Sequence, residues 1–173
     1  FTPNQNFSVE AFYKISERTF RRDTALLPSQ IIARSARARS LIHEVSIRTV
    51  WRIAQNQVLV LGSDIGMELY RDMVIQSRKL PIDVNKGSTR HAYFVNYQLS
   101  LWRFDFTLGS RLDATNSYGL NFDPSAGFVF HFPFFNTLLR SNVSRAFNAP
   151  SLVDRYLSAA TLVANPDLKA ERA

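Results

Sequence analysis

One stretch of the sequence decides the fold: Leu41-Ile42-His43-Glu44-Val45-Ser46-Ile47-Arg48-Thr49-Val50-Trp51-Arg52-Ile53. From Leu41 to Ile53, every second position holds an apolar residue, a histidine or a threonine, whereas the positions between them include Glu44, Ser46 and Arg48. A period of two is typical of a β-strand that turns one face to an apolar environment. Full charges on the other face indicate that it meets water and not a second sheet.

The same alternation recurs in six further windows, which makes seven predicted strands. The windows are residues 7–16, 59–69, 93–101, 104–113, 125–132 and 139–144. Most hold about ten residues, whereas strands of soluble proteins average about 5–6 and a tilted bilayer crossing needs about 9–11. We therefore predict antiparallel strands that cross a membrane. The polar faces, which we expect to line a barrel interior, carry Gly62, Gly66, Gly109, Gly127, Arg111, Asp113 and Arg140.

The links between these strands alternate in length. The predicted long links are residues 18–40, 78–90 and 147–168, with a medium one at 114–123. The short links are residues 54–57, 102–103 and 133–136. Outer-membrane barrels have short periplasmic turns and longer extracellular loops. The odd-numbered strands are therefore predicted to rise from the periplasm, with Trp51 and Phe132 near the periplasmic interface and Tyr93 near the outer one.

Composition and motifs exclude several kinds of chemistry. The chain has 173 residues, 46% of them hydrophobic, and no cysteine, which excludes disulfides, thiolate metal sites and cysteine nucleophiles. No window reaches the roughly 18 consecutive apolar residues of a transmembrane helix. His43, His91 and His131 are isolated, without metal-ligand spacing, and no nucleophile elbow, Walker loop or dinucleotide fingerprint is present. We therefore expect no catalytic residue, no metal site and no cofactor.

The net charge of +7 is concentrated in one place. Residues 18–22 contain three arginines, and Arg34, Arg37 and Arg39 follow. A cluster of this kind has three interpretations: a nucleic-acid patch, an external loop that meets lipid-A phosphates or an anionic ligand, or a solvated loop without a specific role. The rest of the chain offers no nucleic-acid-binding fold, so we expect no nucleic-acid partner.

Four blocks in the last third of the chain carry a resemblance to a known family. Thr107–Asp113 matches a strand ending in Gly-x-Arg-x-Asp, and Phe122–Gly127 matches a Pro-x-x-Gly strand opening. Leu139–Leu152 contains Arg-x-x-x-x-x-x-Phe-x-Ala-Pro-x-Leu, and Asn165–Glu171 is similar to Asn-Pro-x-Leu-x-Pro-Glu, with Ala170 in place of the second proline. In this order the blocks resemble the TonB-dependent outer-membrane receptors.

The resemblance implies an all-β fold, with antiparallel transmembrane β-barrel strands that form about seven of the 22 in a plugged barrel. Residues 1–173 would be a partial barrel domain without the plug and the terminal strands, and an eighth strand would begin within residues 165–173. The implied function is TonB-dependent uptake of a scarce nutrient, such as a ferric siderophore, haem or cobalamin, across the cell outer membrane. The implied partners are outer-membrane lipid and lipopolysaccharide, the nutrient, and TonB through the plug region.

Ligand contacts are predicted in the outer loops, at Arg39, His91, Arg145, Asn148 and Tyr156. Tyr156, with the apolar residues around it, suggests a short helical turn inside the last loop. Simple loop packing and loop-anchoring hydrogen bonds are the alternative roles of these residues. Two other functions stay open: a porin-like barrel without TonB coupling, and a soluble basic β-domain that binds nucleic acid.

Overall fold

Seven strands form one antiparallel sheet in chain order. The computed structural model describes residues 6–24, 34–76, 79–134, 137–157 and 164–173. The strands are β1 (Phe7–Thr24), β2 (Arg34–Ala54), β3 (Gln57–Gln76), β4 (Lys79–Leu101), β5 (Phe104–Thr115), β6 (Gly119–Phe132) and β7 (Thr137–Ser144). The predicted all-β class and the seven antiparallel strands are confirmed. Among the described residues, no helix is long and apolar enough to cross a membrane.

The first four strands are much longer than predicted. β1 to β4 contain 18, 21, 20 and 23 residues. The predicted long links at residues 18–40 and 78–90 are therefore wrong, because the strands occupy most of both; residues 25–33 and 77–78 lie outside the described part. The link at 114–123 also shrinks to a turn at residues 116–118. The apolar–polar alternation is lost in these extensions because each face mixes polar and apolar residues, but the backbone ladder continues.

Residue pairing across the strands divides the side chains between two faces. Directly paired residues share a face, as along the row Ala11–Ile47–Ser63–Tyr93–Leu112. This face, here the outward face, carries large apolar side chains that nothing covers, and Ile47, Ile65 and Leu108 are 47%, 47% and 57% exposed. An apolar surface that extends over a whole sheet marks an interaction with lipid or protein.

Aromatic residues lie at both margins of the outward face. At the end with the short turns, the ring centroid of Phe130 is 4.6 Å from that of Phe104 and 4.4 Å from that of Phe132. Towards the other end, the Tyr13 hydroxyl lies 2.6 Å from His43 Nδ1, and the side chain of Tyr93 is 56% exposed. Two aromatic margins around an apolar band are the arrangement expected of membrane-barrel girdles.

The opposite face, here the inward face, carries glycines and charged side chains. Gly62 is required by a close approach, since a Cβ atom built on it would overlap the ring of Phe94 on the neighbouring strand. Gly66 on the same strand has space, because an added Cβ would meet no atom closer than 3.9 Å. The two glycines thus share one face but carry different steric constraints.

We predict that Gly62→Ala destabilises the folded receptor by about 1–3 kcal/mol, because the Phe94 ring must leave its place. Gly66→Ala is the matched control, with an expected change within about 0.5 kcal/mol. The temperature at which the folded band is lost in heat-modifiability gels measures both effects. Equal midpoints for the two variants would show that the close contact between Phe94 and Gly62 does not limit which residue fits at position 62.

The segment after β7 folds over the inward face. It contains β8 (Phe147–Asn148), α1 (Leu152–Tyr156) and β9 (Glu171–Arg172), and β8 pairs antiparallel with β9. The predicted helical turn is thus present; Ser151 caps it through a reciprocal capping box with Asp154. The predicted eighth strand within residues 165–173 corresponds to β9, which pairs with the stretch directly after β7 and not with β7 itself.

Candidate functional site

The folded-back segment and the inward face enclose a cavity of about 280 Å³. Ala149, Pro150 and Ser151 cover it, and β1 to β5 supply its walls. Five charged side chains from the first four strands line it: Lys14, Arg18, Glu44, Glu68 and Arg90. Because inward positions recur at every second residue, the long strands bring these charges together on one surface.

Glu68 connects the folded-back segment to the inward face of the sheet. One carboxylate oxygen accepts a hydrogen bond of 3.2 Å from the Ser40 hydroxyl, and the other accepts one of 3.0 Å from the backbone N–H of Leu152. The second bond satisfies a free N–H group in the first turn of α1, where a negative charge is favourable. Glu68 therefore fixes where α1 begins above the cavity.

The remaining charges give the cavity a positive surplus. Arg90 Nη2 lies 3.0 Å from Glu44 Oε1, which forms an ion pair. Among the described residues, no carboxylate forms an ion pair with Lys14 or Arg18. The two cations face a partly enclosed space in which water screens charge less than in bulk solvent. The arrangement suits an anionic group.

An apolar patch borders the cavity under α1. Tyr70, Ala38 and Leu152 are almost fully buried, at 0%, 0% and 3% exposure. Tyr156 stacks on Tyr70 with a centroid distance of 6.3 Å, and the Lys86 ammonium lies 5.6 Å from the Tyr156 ring. The contacts hold α1 on β3 and β4, so the loop residues are positioned by the wall.

A second polar network lies within the inward face of the sheet. Arg111 bridges two carboxylates, with 2.8 Å from Nη1 to Asp64 Oδ2 and 2.8 Å from Nε to Asp113 Oδ2. Ser46 donates a hydrogen bond of 2.8 Å to Asp64. The Asp113 side chain is only 8% exposed, so little water reaches it and Arg111 provides its ion-pair partner. This network stabilises the wall rather than lining the cavity.

The structure does not bring the five predicted ligand contacts together. Tyr156 packs in the apolar patch, and Asn148 donates a hydrogen bond of 3.5 Å to Glu171, which fits its alternative role as a loop anchor. Arg145 is exposed at the end of β7. Arg39 and His91 lie on the outward face, opposite Arg71 and Ile65 respectively.

Apart from Arg18, which belongs to the basic stretch at residues 18–22, the charges that line the cavity were missed by the sequence analysis. Every second residue of β1 to β4 points inward, and this pattern could have identified Lys14, Glu44 and Arg90 as inward charges. The pattern does not show which inward charges lie under the folded-back segment. That depends on a contact between Glu68 and Leu152, 84 residues apart in the sequence. Among the described residues, no cluster of histidine and carboxylate side chains could hold a metal ion.

We predict that Glu68→Ala loosens the covering segment. Loss of the hydrogen bond from the Leu152 N–H to this charged acceptor should lower the free energy of local opening by about 2 kcal/mol, which is about thirtyfold in the open fraction. Tryptic cleavage after Arg155 in the folded receptor, followed by mass spectrometry, measures the opening. Glu10→Ala removes an exposed inward carboxylate on β1 and should leave the cleavage rate unchanged. Equal rates in both variants would contradict the role of Glu68.

Comparisons with known proteins agree with this architecture. The family model described as TonB dependent receptor-like, beta-barrel matches residues 2–173. No curated protein matches the sequence. A copper transporter, OprC, is similar with a TM-score of 0.66 and 13% identity over 96% of this chain and 31% of that chain. The RagAB peptide transporter is similar with a TM-score of 0.58 and 16% identity over 99% of this chain and 26% of that chain.

A third solved structure, the siderophore receptor PirA from Pseudomonas aeruginosa, matches with a TM-score of 0.45 and 15% identity over 98% of this chain and 45% of that chain. The chain thus spans less than half the length of each of these three structures. At identities of 13% to 16%, the first two likenesses establish the fold of the wall and not its cargo.

Proposed function

This chain belongs to the TonB-dependent receptor family, in its β-barrel domain, and on that premise we propose that it is part of an outer-membrane receptor for energy-coupled nutrient uptake. Residues 1–173 would supply one part of the barrel wall, its inward lining and an outer loop. TonB would act through a plug region outside these residues. The proposal includes no catalytic step and no cofactor.

The single observation that carries the proposal is the division of the sheet into two faces. The outward face is apolar and uncovered between two aromatic margins, and Ile47 and Leu108 are 47% and 57% exposed. The inward face is charged and holds a cavity under a folded-back loop. A wall with lipid on one side and a polar lumen on the other supports transport across an outer membrane.

The proposed cargo is a small nutrient with an anionic group, as a ferric siderophore, haem or cobalamin would provide. Lys14 and Arg18 support this choice, because they face the cavity without an ion-pair partner among the described residues. The folded-back loop would close over the bound group. The two neighbours with the higher TM-scores are named for copper and peptide transport, so the shared wall does not determine the cargo.

Growth of a strain that lacks the full-length receptor tests the proposal. The strain is grown on limiting ferric siderophore, haem or cobalamin, and the receptor is returned as the wild type or as Lys14→Gln/Arg18→Gln. We expect rescue by the wild type, no rescue in the absence of TonB, and uptake reduced about tenfold or more by the double variant. Arg48→Gln/Arg140→Gln removes two inward charges outside the cavity and should rescue growth fully. Rescue without TonB would instead indicate a plain channel.

A further inference from the structure

The cavity under the folded-back segment carries charges of both signs in one row of the inward face. Lys14 on β1 pairs directly with Glu44 on β2, and the same row continues through Gly66 to Arg90 on β4. All four residues line the cavity. The row therefore places one carboxylate between two cations.

Glu44 keeps one oxygen atom for a ligand. Its Oε1 atom pairs with Arg90 Nη2 at 3.0 Å, and its side chain is 27% exposed. Arg90 reaches this carboxylate across Gly66, where no side chain stands in the way. Within the part of the chain that the structure describes, Oε2 of Glu44 has no hydrogen-bond or ion-pair partner. This oxygen is available to an ammonium group.

Lys14 offers a cation next to the same carboxylate. The two residues oppose each other directly on strands about 4.8 Å apart. Even so, no ion pair joins their side chains, and Lys14 is exposed. An α-amino-acid group carries an ammonium and a carboxylate on one carbon atom. It can therefore contact Glu44 with one end and Lys14 with the other.

The size of the cavity limits what enters it. Its volume of about 280 Å³ lies at the lower end of the roughly 300–1,000 Å³ typical of small-molecule pockets. A cavity of this size holds one small group of a larger nutrient. Ile42, Ala149 and Pro150 add apolar surface to its lining, which suits a small aliphatic side chain.

We propose that the cavity binds an α-amino-acid group, with the ammonium on Glu44 and the carboxylate on Lys14. The inference names the chemical class of the group that the nutrient would place in this cavity, and so it rests on the proposed uptake function. Arg18 lies two inward rows above Lys14, where it can meet a further anionic group of the same nutrient. A nutrient built from amino acids satisfies all these contacts.

The test measures equilibrium binding of radiolabelled L-leucine to the full-length receptor in detergent. Two competitors each lack one charge: N-acetyl-L-leucine has no ammonium, and L-leucinamide has no carboxylate. We expect each to bind the wild type about tenfold more weakly than leucine, since a lost charged contact is worth roughly a factor of ten.

Glu44→Gln separates the two ends of the probe. We expect it to weaken leucine about tenfold and to leave N-acetyl-leucine unchanged or bound more tightly, because Arg90 is released from its ion pair. Lys14→Gln should weaken leucine and N-acetyl-leucine but leave leucinamide unchanged. Glu10→Gln is the matched control, since it removes an inward carboxylate that does not line the cavity, and it should change the binding of none of the three.

Equal binding of leucine and N-acetyl-leucine by the wild type would overturn the proposal, because the cavity would then take an anion only. So would unchanged leucine binding in Glu44→Gln, an equal loss in Glu10→Gln, or no detectable leucine binding by the wild type. The growth test with Lys14→Gln/Arg18→Gln is read separately. Loss of uptake there, with unchanged leucine binding in Glu44→Gln, would uphold the uptake proposal and refute this one. The expected leucine binding without TonB-dependent growth would refute the uptake proposal alone.

Discussion

Ile47→Arg is expected to cost about 2–4 kcal/mol of folding free energy in a lipid bilayer. Ile47 lies on the outward face between the rows of Trp51 and Tyr13 and is 47% exposed. An arginine at this depth must either enter hydrocarbon or distort the bilayer around it, and the cost falls towards the interfaces. Urea unfolding of the full-length receptor in phospholipid vesicles measures the loss.

Phe12→Arg provides the matched control, because Phe12 lies on the inward face next to the row of Ile47. Phe12 is 58% exposed and pairs with Ser46. The same apolar-to-arginine change is expected to cost less than about 1 kcal/mol where water reaches the side chain. A larger loss at Phe12 than at Ile47 would mean that the two faces have been assigned the wrong way round.

Arg111→Ala is expected to destabilise the receptor by about 3 kcal/mol. The reason is the carboxylates that the change leaves behind: the Asp113 side chain is 8% exposed and the Asp64 side chain is 16% exposed. Removal of one member of a buried ion pair costs about 3–5 kcal/mol, and the partial exposure of Arg111, at 33%, places the estimate at the lower end.

Arg90→Ala is the control for this network. Arg90 also pairs with an inward carboxylate, but its side chain is 46% exposed and that of Glu44 is 27% exposed. Exposed pairs contribute about 0–1 kcal/mol. The heat-modifiability midpoint of the full-length receptor should therefore fall clearly for Arg111→Ala and little for Arg90→Ala. Equal falls would show that the bridge to Asp64 and Asp113 contributes no more than an ordinary surface pair.

Alternation predicted the strands but not their length. The windows at residues 41–53 and 59–69 lie inside β2 and β3, and the division between apolar and charged faces follows their period. Above Leu41 and Leu69 both faces mix polar and apolar residues, with Arg39 and Met73 outward and Tyr70 and Asp72 inward, so hydrophobicity carries no period. There backbone hydrogen bonds hold the strands together. These bonds are nearly the same for every residue type, so the sequence does not reveal them.

The cavity and the residues that line it could be predicted from the sequence less well than the strands of the sheet. Arg39 and His91 were predicted to touch ligand because their segments were taken as loops; within strands, their parity with Leu41 and Tyr93 places them on the outward face. The charges that line the cavity become a site only because the loop after β7 returns to Glu68. Long-range contacts of this kind depend on packing and cannot be read from a local pattern.

A nitroxide scan of residues 41–53 tests the central claim most directly; it uses a cysteine-less version of the full-length receptor, reconstituted in vesicles. Single cysteines at successive positions are labelled, and their accessibility to oxygen and to a water-soluble nickel reagent is compared. We predict a period of two, with Val45 and Ile47 favouring oxygen and Ser46 and Arg48 favouring nickel or showing burial. High nickel accessibility at Val45 and Ile47, equal to that of their neighbours, would contradict a lipid-facing wall.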